Sequence, residues 1–278
     1  MMRSISFILV ILTVYTSGYA HRSAVASPAA QQNPSSPRDL ETPPLPENQK
    51  ASDGKNETRE FSDKDLDVLY EEVDAGVVRV ADPIASLNRA MFYFNDKLYF
   101  WLLKPVAKGY KYVVPTPVRT GVENFFYNLI TPVRLVNCVL QGKFRSAGVE
   151  IQRFVINSTA GMLGFVDLTQ NNPDLTAGEE DLGQTFGKYG VGNGFYIVWP
   201  FLGPSTLRDT MGMAGDLFLN PANYVRPAEA ALGIAAYEKV NTTSFRIGDY
   251  EAIKEASLDP YSAIRDAYVQ YRKKKIQE

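Results

Sequence analysis

The chain has 278 residues, of which 45% are hydrophobic and 22% charged, and 29 Lys and Arg nearly balance 31 Asp and Glu to give a net charge of −2. This balance, with a basic run confined to residues 272–275, excludes a nucleic-acid-binding protein, which needs a broad positive surface. The single histidine, His21, and the single cysteine, Cys138, exclude a histidine-based catalytic triad and a zinc site of His and Cys ligands.

The N-terminus has the three parts of an export signal. Arg3 provides a positive charge, residues 5–14 are apolar, and residues 18–20 form a small-x-small cleavage site. Ten apolar residues are too few to cross a bilayer at about 1.5 Å per residue. We therefore predict a signal peptide over residues 1–20, cleaved after Ala20, with an uncleaved anchor as the alternative.

The segment after the signal is rich in proline. Residues 21–60 contain six prolines and no aromatic side chain, so they cannot bury enough apolar surface to offset chain entropy. We expect a disordered tether over residues 21–62 and one folded domain over residues 63–278. No cysteine follows the signal, so the sequence predicts no N-terminal lipid, and Cys138 has no partner for a disulfide.

Four helix starts share one pattern, in which an Asp or Thr stands directly before a proline. The side-chain oxygen can accept an unpaired backbone N–H, and proline at the first helical position gives up an N–H that has no partner. The pairs are Asp82-Pro83, Thr116-Pro117, Thr131-Pro132 and Asp259-Pro260. They predict a helical domain, with helices over residues 117–130, 132–141 and 144–157. A C-terminal helix ends in the basic run, where cations suit the helix dipole without needing a partner.

The first helix has an apolar stripe and almost no polar face. Residues at 3-4-3-4-3 spacing form the stripe: Ile84, Leu87, Met91, Phe94, Leu98 and Trp101. Further aromatic residues lie off this stripe, so a simple surface helix is excluded. Two interpretations remain open: a helix buried on most sides, or a helix that contacts lipid with its aromatic residues at the headgroup level.

Residues 189–207 contain no charged residue over nineteen positions, which is long enough for a membrane span. Glycine and proline recur inside this stretch, and both interrupt helices. Irregular backbone is not tolerated in contact with hydrocarbon. We therefore predict that this stretch is not a transmembrane helix and that it packs against protein or lines a cavity.

Candidate catalytic chemistry is sparse. Four aspartates could act as acids or bases: Asp167, Asp181, Asp209 and Asp216. No carboxylate pair stands out among them, and the acidic run at residues 179–181 is typical of a solvated loop. The glycines from Gly183 to Gly194 lack the spacing of a phosphate-binding loop and indicate tight turns and close backbone packing. We predict no catalytic, cofactor-binding or metal-binding residue, and no enzymatic activity.

Several stretches resemble the MlaA family of outer-membrane proteins, also called VacJ. They are DPIASLNRAMFYFNDKL from Asp82, KPVAKGYKYVVPTPVRTGVENFFYNL from Lys104, TPVRLVNCVLQGKFRSAGVEIQRFVINSTAGMLGFVD from Thr131, DLGQTFGKYGVGNGFYIVWPFLGPSTLRD from Asp181 and DPYSAIRDAY from Asp259. The resemblance covers about residues 80–272 in the family's order. The most specific blocks are Asn-Arg-x-Met-Phe and Gly-Gln-Thr-x-Gly-x-x-Gly-Val-Gly.

The resemblance implies an all-α, ring-like, multi-helix domain partly embedded in the inner leaflet of the outer membrane and pierced by a polar channel. It implies removal of mislocalised phospholipid from the outer leaflet and delivery to a periplasmic lipid carrier of the Mla system, which maintains lipid asymmetry without a cofactor. Family members also associate with trimeric porins. Many carry a cysteine at the mature N-terminus; since this chain has none, the folded domain or a porin partner must hold it at the membrane.

Two groups of residues are candidates for this function. We expect membrane contact at Phe92, Phe94, Phe100, Trp101, Phe125 and Phe126, with core packing as the alternative for each. We expect the channel wall or gate at Gly183, Gly187, Gly190, Gly192 and Gly194. Two other functions remain open: a porin-associated envelope scaffold that moves no lipid, and a carboxylate-based envelope hydrolase.

Overall fold

A computed structural model describes residues 79–176 and 178–278. The helices are α1 Ala85–Leu98, α2 Lys104–Val113, α3 Thr116–Leu129, α4 Thr131–Leu140, α5 Phe144–Thr159, α6 Leu182–Lys188, α7 Leu207–Asp216, α8 Ala228–Phe245, α9 Asp249–Ala256 and α10 Pro260–Gln277. A π-helical segment, Tyr99–Leu103, joins α1 to α2, and short 3-10 turns occupy Pro173–Leu175 and Pro221–Tyr224. The predicted helical class is confirmed. The predicted signal peptide and tether lie outside the described residues.

A two-stranded antiparallel hairpin interrupts the helices. Strand β1, Tyr196–Trp199, pairs with strand β2, Gly203–Thr206. The hairpin lies within residues 189–207, and the end of α6 and a glycine-rich loop precede it. The prediction that this stretch is not a transmembrane helix is confirmed, whereas the hairpin takes the place of the irregular backbone that the sequence predicted. Among the described residues, no helix has the length and apolar character that crossing a membrane requires.

The predicted helix starts agree with the structure at three of four places. Helix α10 begins at Pro260, with the Asp259 carboxylate accepting the N–H of Tyr261 as predicted. Helices α3 and α4 begin at Thr116 and Thr131 themselves, and neither has the predicted side-chain cap hydrogen bond. Asp82 does not cap α1, which begins three residues later. Its carboxylate instead accepts hydrogen bonds from the side chains of Asn88 and Tyr261, which lie far apart in sequence.

The two Thr-Pro starts use a mechanism that the sequence did not indicate. Both belong to the tetrapeptide Thr-Pro-Val-Arg, and in both the arginine three residues later donates back to the threonine oxygen at 3.0 Å. The guanidinium of Arg119 also lies 4.5 Å from the ring centre of Phe245, and that of Arg134 lies 3.8 Å from the ring centre of Tyr127. These cation–π contacts, together with the threonine bonds, place a buried arginine at the start of each helix.

Helix α1 binds the hairpin through two asparagines. The side-chain amide of Asn88 donates to the carbonyl oxygen of Tyr196 at 2.9 Å and accepts the N–H of Val198 at 2.8 Å. About two turns further along α1, Asn95 donates to the carbonyl of Trp199 and accepts the N–H of Phe201. Asn88 therefore acts as a strand partner for β1, and Asn95 binds the end of β1 and the turn that follows it. Strand edges need such partners when they are buried.

The buried apolar cluster is small and lies where α1, the hairpin and α10 meet. Its members are Phe92, Tyr196, Val198 and Tyr261, with partly buried residues of α1 and α10 around them. The rings of Phe92 and Tyr261 meet edge to face at 5.8 Å, as do those of Tyr196 and Tyr261 at 6.0 Å. Such aromatic geometry contributes beyond area burial.

We predict that replacing Asn88 by Leu lowers the free energy of unfolding by about 2–4 kcal/mol, because it leaves a buried carbonyl and a buried N–H of β1 without partners. Urea denaturation of purified protein measures the change. Asn95→Leu is the matched control, since Asn95 is only partly buried and water can replace its bonds. An equal loss in both variants would contradict the proposed role of Asn88.

Candidate functional site

The interior of the described residues is polar. Arg134 is 1% exposed and its Nε donates to the fully buried Glu150 at 2.9 Å. Other nearly inaccessible polar side chains are Asn88, Asn137, Asn241, Thr169, Thr185 and Thr206. Buried charges are tolerated only when paired and hydrogen-bonded. The interior therefore depends on specific ion pairs rather than on a large apolar core.

The most extensive ion cluster joins α6, α7 and α10. Arg272 on α10 contacts Asp181, the N-cap of α6, at 2.6 Å and Asp209 in the first turn of α7 at 2.9 Å. Asp209 also accepts from Arg208 and from the hydroxyl of Tyr268. Arg272 keeps the pKa of the buried Asp181 below its usual range, although burial opposes this shift. One guanidinium thus ties three helices together.

This cluster corrects two expectations from the sequence. Arg272 is a buried ion-pair residue and not part of an unpaired basic end, because the turn of α10 that carries it packs against α6. The acidic run at residues 179–181 is also buried rather than solvated. Glu180 pairs with Lys143 at 2.7 Å, and Glu179 accepts from the hydroxyl of Tyr271 at 3.2 Å.

Asp216 continues the polar network toward α4. Its two carboxylate oxygens accept from the side chain of Asn137 and from the N–H of Leu182, at 2.9 and 3.0 Å. Burial, followed by the negative charge of Asp181, raises the pKa of Asp216 to about 7, against the effect of these hydrogen bonds. Asn137 also accepts from Thr185, so α4, α6 and α7 share one network.

A second network holds the turn after α5. The Asp167 carboxylate accepts hydrogen bonds from the guanidinium of Arg153 at 2.8 Å and from the side-chain amide of Asn157 at 2.9 Å, and both donors lie on α5. The turn contains Met162 and Leu163, whose φ angles of 55° and 60° are unusual for residues other than glycine. Both side chains are exposed. The polar network beneath thus fixes a strained turn that displays apolar side chains.

The four aspartates singled out in the sequence are therefore structural. Asp167, Asp181, Asp209 and Asp216 all belong to the ion-pair and hydrogen-bond networks just described. No group of His, Cys, Asp or Glu in the described part of the chain could hold a metal ion. Cys138 is fully buried in α4, and burial raises the pKa of its thiol to about 12.

The exterior of the described residues is unusually apolar. The predicted stripe is divided between surface and interior. Leu87, Phe94 and Trp101 are 56%, 42% and 75% exposed, the last of them in the π-helical segment. The other three members, Ile84, Met91 and Leu98, are partly buried. The inward face of α1 also carries Asn88. Other strongly exposed apolar side chains are Leu102, Tyr112, Val113, Phe144, Met162, Leu163, Phe218 and Leu258. Exposed apolar side chains that form a contiguous patch are typical of a surface that lipid or another protein covers.

The six predicted membrane contacts divide into three classes. Phe94 and Trp101 are exposed; Phe94 packs edge to face on the exposed Phe201, and the Lys97 ammonium lies 5.3 Å from the Trp101 ring. Phe100 and Phe125 are partly buried. Lys104 and Lys254 lie on the ring of Phe100, at 5.1 and 4.9 Å, and Phe125 packs on Phe165.

Phe92 and Phe126 require a correction. They are 8% and 7% exposed and therefore belong to the protein core, the alternative that the sequence left open. Their rings pack against Tyr261 and Tyr237, respectively. Consecutive aromatic residues on a helix point in different directions, so only some members of each aromatic run can reach the surface.

The predicted glycines fall into two sets. Gly183 and Gly187 lie in α6, where α6 crosses α7 closely. A Cβ on Gly183 would lie 2.7 Å from a carboxylate oxygen of Asp209, and one on Gly187 would lie 2.6 Å from Ile276. The partner glycine on α7, Gly212, was not recognised in the sequence; a Cβ there would overlap the backbone of Gly183. Close packing thus accounts for Gly183 and Gly187.

The other three glycines lie in the exposed loop between α6 and β1. Gly190 has a φ of +85° and Gly194 one of +67°, so both require backbone conformations that favour glycine. Gly194 also packs against Leu207, whereas a Cβ on Gly190 or Gly192 would meet no other atom within 4 Å. Gly192 alone is open and lacks a positive φ, which makes it the position where a side chain can be added without strain.

Comparisons with known proteins give a consistent result. A family model described as MlaA lipoprotein matches residues 80–275. The intermembrane phospholipid transport system lipoprotein MlaA of Escherichia coli strain K12 is 36% identical over 193 residues, which are 68% of this chain and 76% of that protein. The corresponding protein of Haemophilus influenzae is 31% identical over 205 residues, 71% of this chain and 80% of that protein.

An uncharacterized protein of Rickettsia conorii is 33% identical over 203 residues, 73% of this chain and 80% of that protein. A solved structure, described as the structural basis for maintenance of bacterial outer membrane lipid asymmetry, has a TM-score of 0.63 and 34% sequence identity. The match covers 70% of this chain and 99% of that one. The similarity thus extends over nearly all of the described residues.

We predict that Gly212→Ala lowers the free energy of unfolding by about 1–3 kcal/mol, because α6 and α7 must separate to admit a methyl group. Gly192→Ala, in the open loop, is the matched control and should change stability by less than about 0.5 kcal/mol. Thermal unfolding of both variants tests this. A neutral Gly212→Ala would show that the helices do not cross as closely as described.

Proposed function

Because the chain belongs to the MlaA lipoprotein family, we propose that it removes mislocalised phospholipid from the outer leaflet of the outer membrane. It passes this lipid to a periplasmic carrier of the Mla system and so maintains lipid asymmetry. No chemical step is involved. The lipid moves between two environments, and the protein provides a polar route for its headgroup through an apolar surrounding.

The observation that carries this proposal is the reversed distribution of polarity. Many charged and amide side chains are buried, whereas many large apolar side chains are exposed among the described residues. Burial of apolar surface provides about 25 cal/mol per Å², so an exposed apolar exterior is favourable only where lipid or protein covers it. A lipid surrounding accounts for the exterior, and a headgroup route accounts for the polar interior.

We place the protein at the periplasmic side of the outer membrane, partly embedded in the inner leaflet. The outward face of α1 and the hairpin tip, with Phe94, Trp101 and Phe201, form the proposed membrane contact. Aromatic rings beside a lysine such as Lys97 are typical of the headgroup level. This apolar surface is the proposed attachment to the membrane, together with a trimeric porin.

The loop between α6 and β1 is the proposed gate. Gly190 and Gly192 are exposed, and a Cβ added at either position would have no atom of another residue within 4 Å. The gate is assigned to this loop because the loop lies outside the close contact between Gly183 and Gly212. Gly183 and Gly187 then contribute to the wall by letting α6 and α7 approach.

We predict that cells lacking this gene accumulate phospholipid in the outer leaflet and that the wild-type gene reverses the accumulation. A membrane-impermeant amine-reactive probe measures exposed phosphatidylethanolamine directly. The Gly192→Leu gene should fail to restore asymmetry, because a bulky side chain at the proposed gate obstructs the headgroup route, whereas Gly192→Ala should restore it. Both proteins should retain wild-type melting temperatures.

The same variants separate lipid transport from a scaffold role. If Gly192→Leu retains porin association but loses asymmetry, the defect lies in lipid movement. Unchanged outer-leaflet phospholipid in deletion cells would contradict transport and favour the porin-associated scaffold.

The sequence contains two tryptophans, Trp101 and Trp199, which allows a direct test of membrane contact. In Trp199→Phe protein reconstituted in vesicles, lipids brominated along the acyl chain should quench most of the Trp101 emission, because Trp101 is 75% exposed. In Trp101→Phe protein, quenching should be weaker, since Trp199 is partly buried and donates to Thr210 at 3.0 Å. Equal quenching, or none at Trp101, would refute contact at this face.

A further inference from the structure

Helix α1, the π-helical segment and α2 form one uninterrupted helical stretch over residues 85–113. The backbone at both junctions, Tyr99 and Lys104, stays in the right-handed helical region. Pro105 has no N–H to donate, and directly before it the N–H of Lys104 bonds five residues back, to the carbonyl of Tyr99. The wider π-helical turn therefore accommodates the proline without ending the helix.

One face of α2 packs against α8. Ala107 is fully buried, and the hydroxyl of Tyr110 donates to the side chain of Asn241 at 2.8 Å. The rings of Tyr110 and Tyr237 meet edge to face at 5.8 Å. Most of the remaining residues of α2 are exposed. The outward face of α2 is thus free to contact something other than the described part of the chain.

This outward face belongs to a segment whose charges are all positive. Residues 97–122 contain four lysines and one arginine but no Asp or Glu. Arg119 is buried, and Lys104 pairs with Glu251. The other three cations are exposed and form no ion pair with any residue that the structure describes: Lys97, Lys108 and Lys111. Like charges without counterions along one segment produce a positive surface potential.

Large apolar side chains are exposed between these lysines. Tyr112 is 93% and Val113 75% exposed, and Val106 is exposed one side of the helix away from the lysines. Lys108 and Lys111 stand three residues apart and Val106 and Val113 seven apart, so each pair lies on its own side of α2. Trp101 and Leu102 continue the apolar surface into the π-helical segment.

An anionic bilayer surface accounts for both halves of this arrangement. Headgroup phosphates supply the missing negative charge, and the acyl region beneath them covers the apolar side chains. A lysine can hold its ammonium at the headgroups while its methylene groups lie along apolar surface. A protein partner would need an acidic and an apolar stripe in the same register, whereas a fluid bilayer needs no such match.

We propose that α2, with the π-helical segment before it, lies in the plane of the membrane surface and binds anionic phospholipid headgroups through Lys97, Lys108 and Lys111. The inference rests on the proposed membrane placement and adds the class of lipid to it. Each lysine near an anionic membrane surface strengthens binding about fivefold. The attachment should therefore depend on lipid charge as well as on apolar contact.

Flotation of the purified protein with vesicles tests the inference. The vesicles contain either phosphatidylcholine alone or equal amounts of phosphatidylcholine and phosphatidylglycerol. Wild type should bind the anionic vesicles about tenfold more strongly or better. This preference should disappear at about 1 M salt, where the Debye length falls to about 3 Å. The double variant Lys108→Gln/Lys111→Gln should bind the anionic vesicles about tenfold more weakly than wild type and the neutral vesicles equally well.

The double variant Arg145→Gln/Lys274→Gln is the charge-matched control. It removes two exposed cations from α5 and α10 and should keep the wild-type preference for anionic vesicles. Both double variants should melt like wild type, since all four side chains are exposed. An equal loss of preference in the two variants would overturn the assignment to α2 in favour of an effect of net charge.

The remaining outcomes separate this inference from the proposed function. Equal binding of wild type to both kinds of vesicle would overturn it and leave the apolar membrane contact standing. Binding to neither kind would overturn it in favour of an acidic protein partner. If the wild-type gene leaves outer-leaflet phospholipid unchanged while the purified protein shows the lysine-dependent preference, transport fails and this inference stands. Restored asymmetry without any preference for anionic vesicles means the reverse.

Discussion

The guanidinium of Arg272 is the interaction on which the remaining packing depends. It neutralises Asp181 and Asp209, so the N-terminal ends of α6 and α7 can lie side by side despite carrying two buried carboxylates. Only then can Gly183 and Gly212 meet backbone to backbone. Since α10 supplies the arginine, the last helix of the chain completes a contact between two earlier ones. Removing one partner from such a buried cluster leaves an uncompensated charge, which is far more destabilising than loss of a surface pair.

The same reasoning explains why buried ion pairs, rather than a large apolar core, organise the interior. Arg134 with Glu150 and Arg153 with Asp167 repeat the arrangement within α4 and α5 and the turn that follows. Fixed partners define one geometry, whereas apolar side chains can repack in several ways. A polar interior of this kind can present hydrogen-bonding groups to a passing headgroup without collapsing, provided that each group of the wall is already satisfied.

Much of the helical framework could be predicted from the sequence, because Thr-Pro and Asp-Pro pairs mark helix starts through purely local chemistry. The orientation of the helices could not be predicted in the same way. The apolar stripe on α1 gave the correct period, but period alone does not say whether lipid or protein covers the stripe. Asn88 and Asn95, on the inward side, become meaningful only once the hairpin lies beside them. The repeated Thr-Pro-Val-Arg was the one local signal of buried arginines. The burial of Arg272 and the packing of α8 depend on residues that are distant in sequence.

The burial of Cys138 has a consequence for chemical reactivity. Burial raises the pKa of the thiol to about 12, so the nucleophilic thiolate is rare at neutral pH. Disulfide exchange and sulfenic acid formation both proceed through that thiolate. The native chain is therefore chemically silent toward thiol reagents while it stays folded. A cysteine introduced on the apolar exterior or in the glycine loop could be labelled selectively, without removing the natural one first.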